Sequence, residues 1–183
     1  MYLLDIEPLN LGDVRAIGLE LVEADENREP VRGRDAARIW SHVLWAVTGK
    51  ETWTLDFFSH LDRVRDYCER HHIGYREANE RSILIPAPEV APLESLFERF
   101  QNETFGARAG GALPAADPAV EGELARRGVD AYHRAYPSYF FCAVCAFEDG
   151  SLVLLSEKLW ASEVIRRVRP VLVGLDVEVR LPA

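Results

Sequence analysis

The spacing of apolar residues along the chain changes period several times, and each change predicts an element. Residues 1–7 and 14–23 read as two strands joined by "PLNLGD". In the second, Ile17, Leu19 and Leu21 recur at every other position and share one face. Val14, Ala16 and Val22 face the other way, interrupted by Gly18 and Glu20, so that side is expected to be covered only in part. The polar run "ADENREPVRGR" reads as a solvated loop. The period then lengthens to that of a helix over residues 35–48, with Asp35 as N-cap and Gly49 beyond the last turn. Ala36, Trp40, Val43, Leu44 and Val47 form its stripe, and His42 and Trp45 fall on the opposite side. "TWTLDFF" alternates again, with Trp53, Leu55 and Phe57 on the face of a half-buried strand.

Ser59 and Asp62 resemble a capping box that opens a helix over 59–72. Leu61, Val64 and Cys68 supply its buried stripe, His72 projects near it, and Gly74 ends it. "GYREANERSILIP" reads as a short hairpin. "APLESLFERFQNETF" reads as an amphipathic helix with Leu93, Leu96, Phe97 and Phe100 inward. "GARAGGALPAADPA" (106–119) is a Gly/Ala/Pro-rich loop or linker. It divides the chain into a half at 1–105 and a half at 120–183, although one compact domain suits the length equally well. Beyond it come a helix over 119–134 and a strand over 138–147. An Asp149-Gly150 turn leads into a strand at 151–155, and a helix capped by Ser156 follows over 157–168. "LDVEVRL" closes the chain as a strand with one wet face.

"SILIPAPEVAPLESLFERF" and "SLVLLSEKLWASEVIRRV" both run strand, cap, helix. With their preceding strands they make strand–strand–helix units near 75–103 and 139–168, with the N-terminal strands and helix as a candidate third, more divergent copy; chance likeness among amphipathic segments explains the similarity at least as well as duplication. Hairpins among helices favour an α+β fold with a largely antiparallel sheet, and the later segments suit one or two ferredoxin-like sandwiches.

Composition narrows the function classes. Among 183 residues, 48% are hydrophobic and 28% charged, which is ordinary for a folded domain with a real core. A net charge of −9 disfavours a general nucleic-acid binder, which needs a basic surface. "IRRVRP" (165–170), the most basic stretch, reads as a helix C-terminus whose arginines offset the dipole. No run approaches the roughly 18 apolar residues that cross a bilayer, and "MYLLDIEPLN" lacks the basic start of a signal peptide. With three cysteines, an odd number, a cytoplasmic location is expected.

The conspicuous stretch for chemistry is "AYHRAYPSYFFCAVCAF" (131–147). A redox Cys-x-x-Cys sits at a helix N-terminus and a zinc one on a turn. Around Cys142 and Cys145 the composition says strand instead. Strand residues three apart lie about 10 Å from each other, beyond the roughly 7 Å that a disulfide spans between Cα atoms. Structural thiols are therefore expected. His133, with Tyr132 or Tyr136, is the candidate acid–base group, against the plainer reading of a last helical turn ended by Pro137. Cys68 and His72 are the candidate metal pair, being four apart on a helix, but no further ligands suggest themselves. His60 and His71 would lie about 16 Å apart, too far to share an ion. Asp5 and Glu7 share a strand face, as an exposed face also explains. No phosphate-binding loop, nucleophile elbow or zinc-protease motif is present.

What remains is the off-stripe pair His42 and Trp45. Exposed beside Trp53, it would make an aromatic patch for a partner; otherwise the helix is sandwiched between two layers of its own protein. The expectation is a binding protein that needs no cofactor and engages a protein partner or a second copy of itself. The alternative is a small enzyme or ligand-binding domain with a pocket between Tyr132/His133 and Cys68/His72.

Overall fold

The computed structural model describes residues 1–11, 14–48, 52–57, 61–80, 82–86, 89–100, 104–109, 141–146, 150–155 and 160–181. In chain order these form β1 (Tyr2–Leu11), β2 (Val14–Glu23), α1 (Gly33–Thr48), β3 (Thr52–Phe57), α2 (Asp62–Arg70), β4 (Arg76–Asn79) and β5 (Ser82–Pro86). They continue with α3 (Ala91–Phe100), β6 (Thr104–Ala109), β7 (Phe141–Ala146), β8 (Ser151–Leu155), α4 (Ala161–Leu172) and β9 (Val177–Arg180). The fold is α+β.

One sheet takes up all these strands, in the order β4-β5-β3-β6-β7-β8-β2-β1-β9. Neighbours pair antiparallel except β1 and β9, which run parallel. The alternation read from the sequence sets the register. Ile17, Leu19 and Leu21 on β2 align with Ile6 and Leu4 on β1 and with Leu154 and Leu152 on β8. Trp53 and Leu55 align with Ile85 and Ile83. These residues are all buried, and they join the inward stripes of α1, α2, α3 and α4 in one hydrophobic cluster. The described helices therefore cover one face of the sheet, because only that face offers unbroken apolar rows to bury.

The segment β3-α2-β4-β5-α3-β6 has the element order of a ferredoxin-like unit. Both of its crossovers are split: β5 lies between β3 and β4, and β3 lies between β5 and β6. The resemblance between the two strand–helix segments reappears as topology. β4-β5-α3 leads to β6 across β3, and β7-β8-α4 leads to β9 across β2 and β1.

Several boundaries differ from the sequence expectation, each for a local reason. β1 runs to Leu11, opposite Val14, so most of "PLNLGD" is strand. The 24–32 run is exposed for the most part, yet it folds back on β2: Val22 bridges Pro30, Val31 donates to the Leu21 carbonyl at 3.2 Å, and Val31 is buried. α1 begins at Gly33, which places Asp35 inside the first turn, where its carboxylate accepts from the Tyr2 hydroxyl at 2.6 Å. That bond, aided by burial, pushes the phenol up to about 12.

α2 starts at Asp62, which pairs with Arg65; Ser59, the other half of the expected capping box, and His60 lie outside the described residues. The same helix ends at Arg70, before the predicted stop at Gly74. His72 adopts φ +55° and donates to Glu69 O, and Ile73 donates to Cys68 O at 2.8 Å, so the end is a Schellman motif with His72 in the left-handed place usually held by glycine.

The boundary drawn at 105/106 falls inside β6, in the middle of the sheet, so both halves share one continuous sheet. α4 starts at Ala161, with Trp160 outside it as an exposed N-cap, and it continues past Pro170 to bury Leu172. The helix expected over 119–134 lies outside the described residues.

Candidate functional site

Those of the sequence-predicted residues that lie among the described ones do not converge. Cys68 is fully buried within α2, and burial pushes its thiol up to about 11, which leaves it a poor nucleophile and a poor ligand. His72 is exposed, two residues past the helix end, and its left-handed backbone removes it from the stripe that would set it one turn from Cys68. The candidate metal pair is thus broken by the helix terminus. No group of three or more metal-ligating side chains occurs among the described residues. Tyr132, His133 and Tyr136 lie outside them, as does the pocket they were expected to line. Cys142 and Cys145 both sit on β7, opposite Leu155 and Leu152 respectively, which is the strand setting argued above for structural thiols.

The aromatic patch does not form as drawn. Trp53 is fully buried in the sheet face beneath the helices, and its indole N–H meets no acceptor among the described residues. Trp45 is half-buried and packs against the core. His42 is half-buried too, its Nε2 at 3.6 Å from Glu94 on α3. α1 is flanked by α3 on one side and by α4 on the other. From α4, Arg167 reaches across to donate to the Val47 carbonyl in the last turn of α1. Because α1 has no basic residue in its own last turn, this cation offsets its dipole from a neighbouring helix.

Asp5 and Glu7 sit on the sheet face opposite the helices, where Asp5 is tied to Arg28 and Glu7 is exposed. Arg28 also approaches Glu20 at 3.8 Å. Asp5 lies opposite Glu20 on one side and Arg180 of β9 on the other. The row therefore alternates in sign from Glu20 through Arg28 and Asp5 to Arg180, and it stops at the edge of the sheet. There Arg180 grips Glu178 through two hydrogen bonds, Nε to Oε1 at 2.9 Å and a second at 3.1 Å. The pair holds the Glu178 carboxyl below its ordinary range and raises the Arg180 guanidinium.

β9 is the last strand in the sheet on this side. Val177 and Val179 are half-buried toward α4, and Glu178 and Arg180 are exposed. The large apolar side chains left exposed among the described residues adjoin the same elements in the chain. Trp160 (59%) caps α4, Val173 (82%) follows it, Leu181 (58%) ends β9, and Met1 (63%) precedes the Tyr2 that pairs with Val177. In the sequence β9 showed only as an alternating strand with a wet face; its place at the sheet edge follows from pairing with β1, which no local pattern announces.

Compared with protein families, curated proteins and solved structures, the chain matches none.

Proposed function

We propose that this is a binding protein without a catalytic centre, which works through protein–protein contact on the side formed by α4 and β9. The supporting observation is that the exposed large apolar residues among the described ones, Val173, Leu181, Trp160 and Met1, all adjoin in the chain the elements α4, β9 and β1 at this edge of the sheet. Solitary exposed apolar residues are unremarkable, but several of them adjoining a strand that pairs on one side only among the described residues make a surface that another chain can cover. These four are the exposed large apolar side chains among the described residues.

Sedimentation of the full chain from about 1 to about 100 µM tests this reading. The expected result is a mass rising with concentration from 20.7 kDa, and a lower mass for the double variant Val173→Asp/Leu181→Asp at equal concentration. A mass of 20.7 kDa throughout would reject self-association as the form this contact takes.

A further inference from the structure

We infer that the partner of the β9 edge is a second copy of this chain, whose own β9 adds antiparallel about a twofold axis through Val179. This rests on the reading just given and specifies its geometry.

Three features of β9 fit that arrangement together. The first is which main-chain groups face outward. Tyr2 N–H donates to the Asp176 carbonyl at 2.8 Å, so of the main-chain groups along this stretch that carbonyl turns toward β1. Those groups alternate sides along a strand, and therefore Glu178 and Arg180 also address β1. Val177, Val179 and Leu181 present theirs to the open edge. Centring the pairing on Val179 sets Val179 against Val179 of the second copy and Val177 against Leu181 of the second copy. Each of these is a hydrogen-bonded pair, giving up to about six main-chain hydrogen bonds.

The second feature is charge. The same register sets Glu178 directly against Arg180 of the second copy, and Arg180 against Glu178, at the closely spaced non-hydrogen-bonded positions where cross-strand side chains approach most nearly. The sequence Glu-Val-Arg is self-complementary under a twofold axis, as an isologous interface requires. It also continues the alternating row: Glu178 of the second copy follows Arg180, Asp5, Arg28 and Glu20. The third feature is apolar cover, because Leu181, 58% exposed, gains Val177 of the second copy as its cross-strand neighbour on the helix side.

A four-residue strand with its flanks buries less than the roughly 1,200 Å² of a stable interface, so the dimer forms at micromolar rather than nanomolar concentration.

The test is sedimentation of the full chain and three variants. In Val179→Pro the lost N–H is one that faces outward, so pairing with β1 survives while the edge is blocked. Glu178→Arg sets two arginines against each other across the axis. Glu178→Arg/Arg180→Glu exchanges the charges and keeps the complement. The expected result is dimerisation of the wild type, a loss of at least about tenfold in affinity in the first two variants, and recovery in the double variant. A dimer that Val179→Pro and Glu178→Arg leave intact would overturn this geometry while the self-association reading stands. A wild type monomeric throughout would overturn both. Circular dichroism of each variant confirms that it is folded, and a variant that unfolds is replaced by Val177→Pro, which blocks the same edge.

Discussion

Two glycines with the same backbone sign but different surroundings separate conformational strain from crowding. Gly150 (φ +72°) precedes β8 in the turn that follows β7, and Gly174 (φ +90°) lies between α4 and β9. A Cβ on Gly174 would meet nothing within 4 Å. Gly174→Ala therefore carries only the left-handed penalty of about 1–2 kcal/mol. A Cβ on Gly150 would fall 2.8 Å from the Leu21 carbonyl oxygen and 2.9 Å from Pro30 Cβ. Neither neighbour can swing away. Leu21 accepts from Val31 and donates to the Gly150 carbonyl at 2.8 Å, and Pro30 adjoins the bridge to Val22. Relief of the clash must loosen at least one of these hydrogen bonds, each worth about 1 kcal/mol. Gly150→Ala should thus cost about 2–4 kcal/mol, clearly more than Gly174→Ala. Urea unfolding at constant slope measures both. Equal losses would refute the argument that the 24–32 segment clamps the β7–β8 turn. His72 provides the converse: with φ +55° in a Schellman place, His72→Gly should gain about 0.5–1 kcal/mol, and a loss there would mean its side chain contributes more than its backbone costs.

Other consequences follow from the helices. Hydrogen bonds from Arg166 and Arg167 hold the Glu163 carboxyl down at about 2, against 4.5 for the free group. A depressed carboxylate stabilises the fold above its unfolded value, and the benefit fades as pH falls from 4.5 through about 2. Denaturant midpoints of wild type and Glu163→Gln should therefore differ near neutrality and converge by about pH 2; a constant gap would contradict it. Arg167→Ala removes the donor to Val47 O and the bond to Glu163 at 2.8 Å, with an expected cost of about 1–2 kcal/mol in urea titration. A change below about 0.3 kcal/mol would show that α1's last carbonyls need no help from α4. Cys68, buried and with its thiol raised to about 11, should resist alkylation at neutral pH until denaturant is added. Mass spectrometry of the labelled peptide reads this, and native labelling at the rate of a free thiol would refute it.

The sequence pattern read the core well because burial obeys period. The stripes Ala36–Trp40–Val43–Leu44–Val47 and Leu93–Leu96–Phe97–Phe100 are buried as spaced, as are Trp53, Leu55 and Phe57. It read less well wherever a neighbour decided the outcome. β6, "TFGARA", has poor strand composition, yet it is fixed between β3 and β7, whose main chains satisfy it on both sides. α4 continues past Pro170 because Leu172 has a place in the core, which the sequence cannot locate. For His42 and Trp45 the sequence left open an exposed patch or cover by the protein's own elements; both residues are half-buried, on a helix that contacts α3 and α4. For the candidate site the shortfall is sharper. Helical spacing joined Cys68 to His72 only while the helix was taken to reach residue 72, and Trp53 served as a patch residue only on the condition that it was exposed, whereas it is fully buried beneath the helices.

Edge or centre is the property that separates these cases, and a strand's own residues do not encode it. β3 carries apolar residues on one side and polar ones on the other, and so does β9. β3 is enclosed by β5 and β6, whereas among the described residues β9 pairs with β1 alone. Natural edges are protected against unwanted pairing by charge, proline or shortness. β9 is short and bears charges, but its charges alternate in an order that attracts an antiparallel copy. Two like charges at positions 178 and 180 would have protected the edge equally well and repelled that copy. Replacing Arg180 with Glu creates such a protected edge, and it brings a second carboxylate next to Asp5 in the cross-strand row. The variant should accordingly be both monomeric and less stable than wild type, with the stability deficit shrinking as salt is raised. If it dimerises as wild type does, the order of charges on β9 plays no part in association.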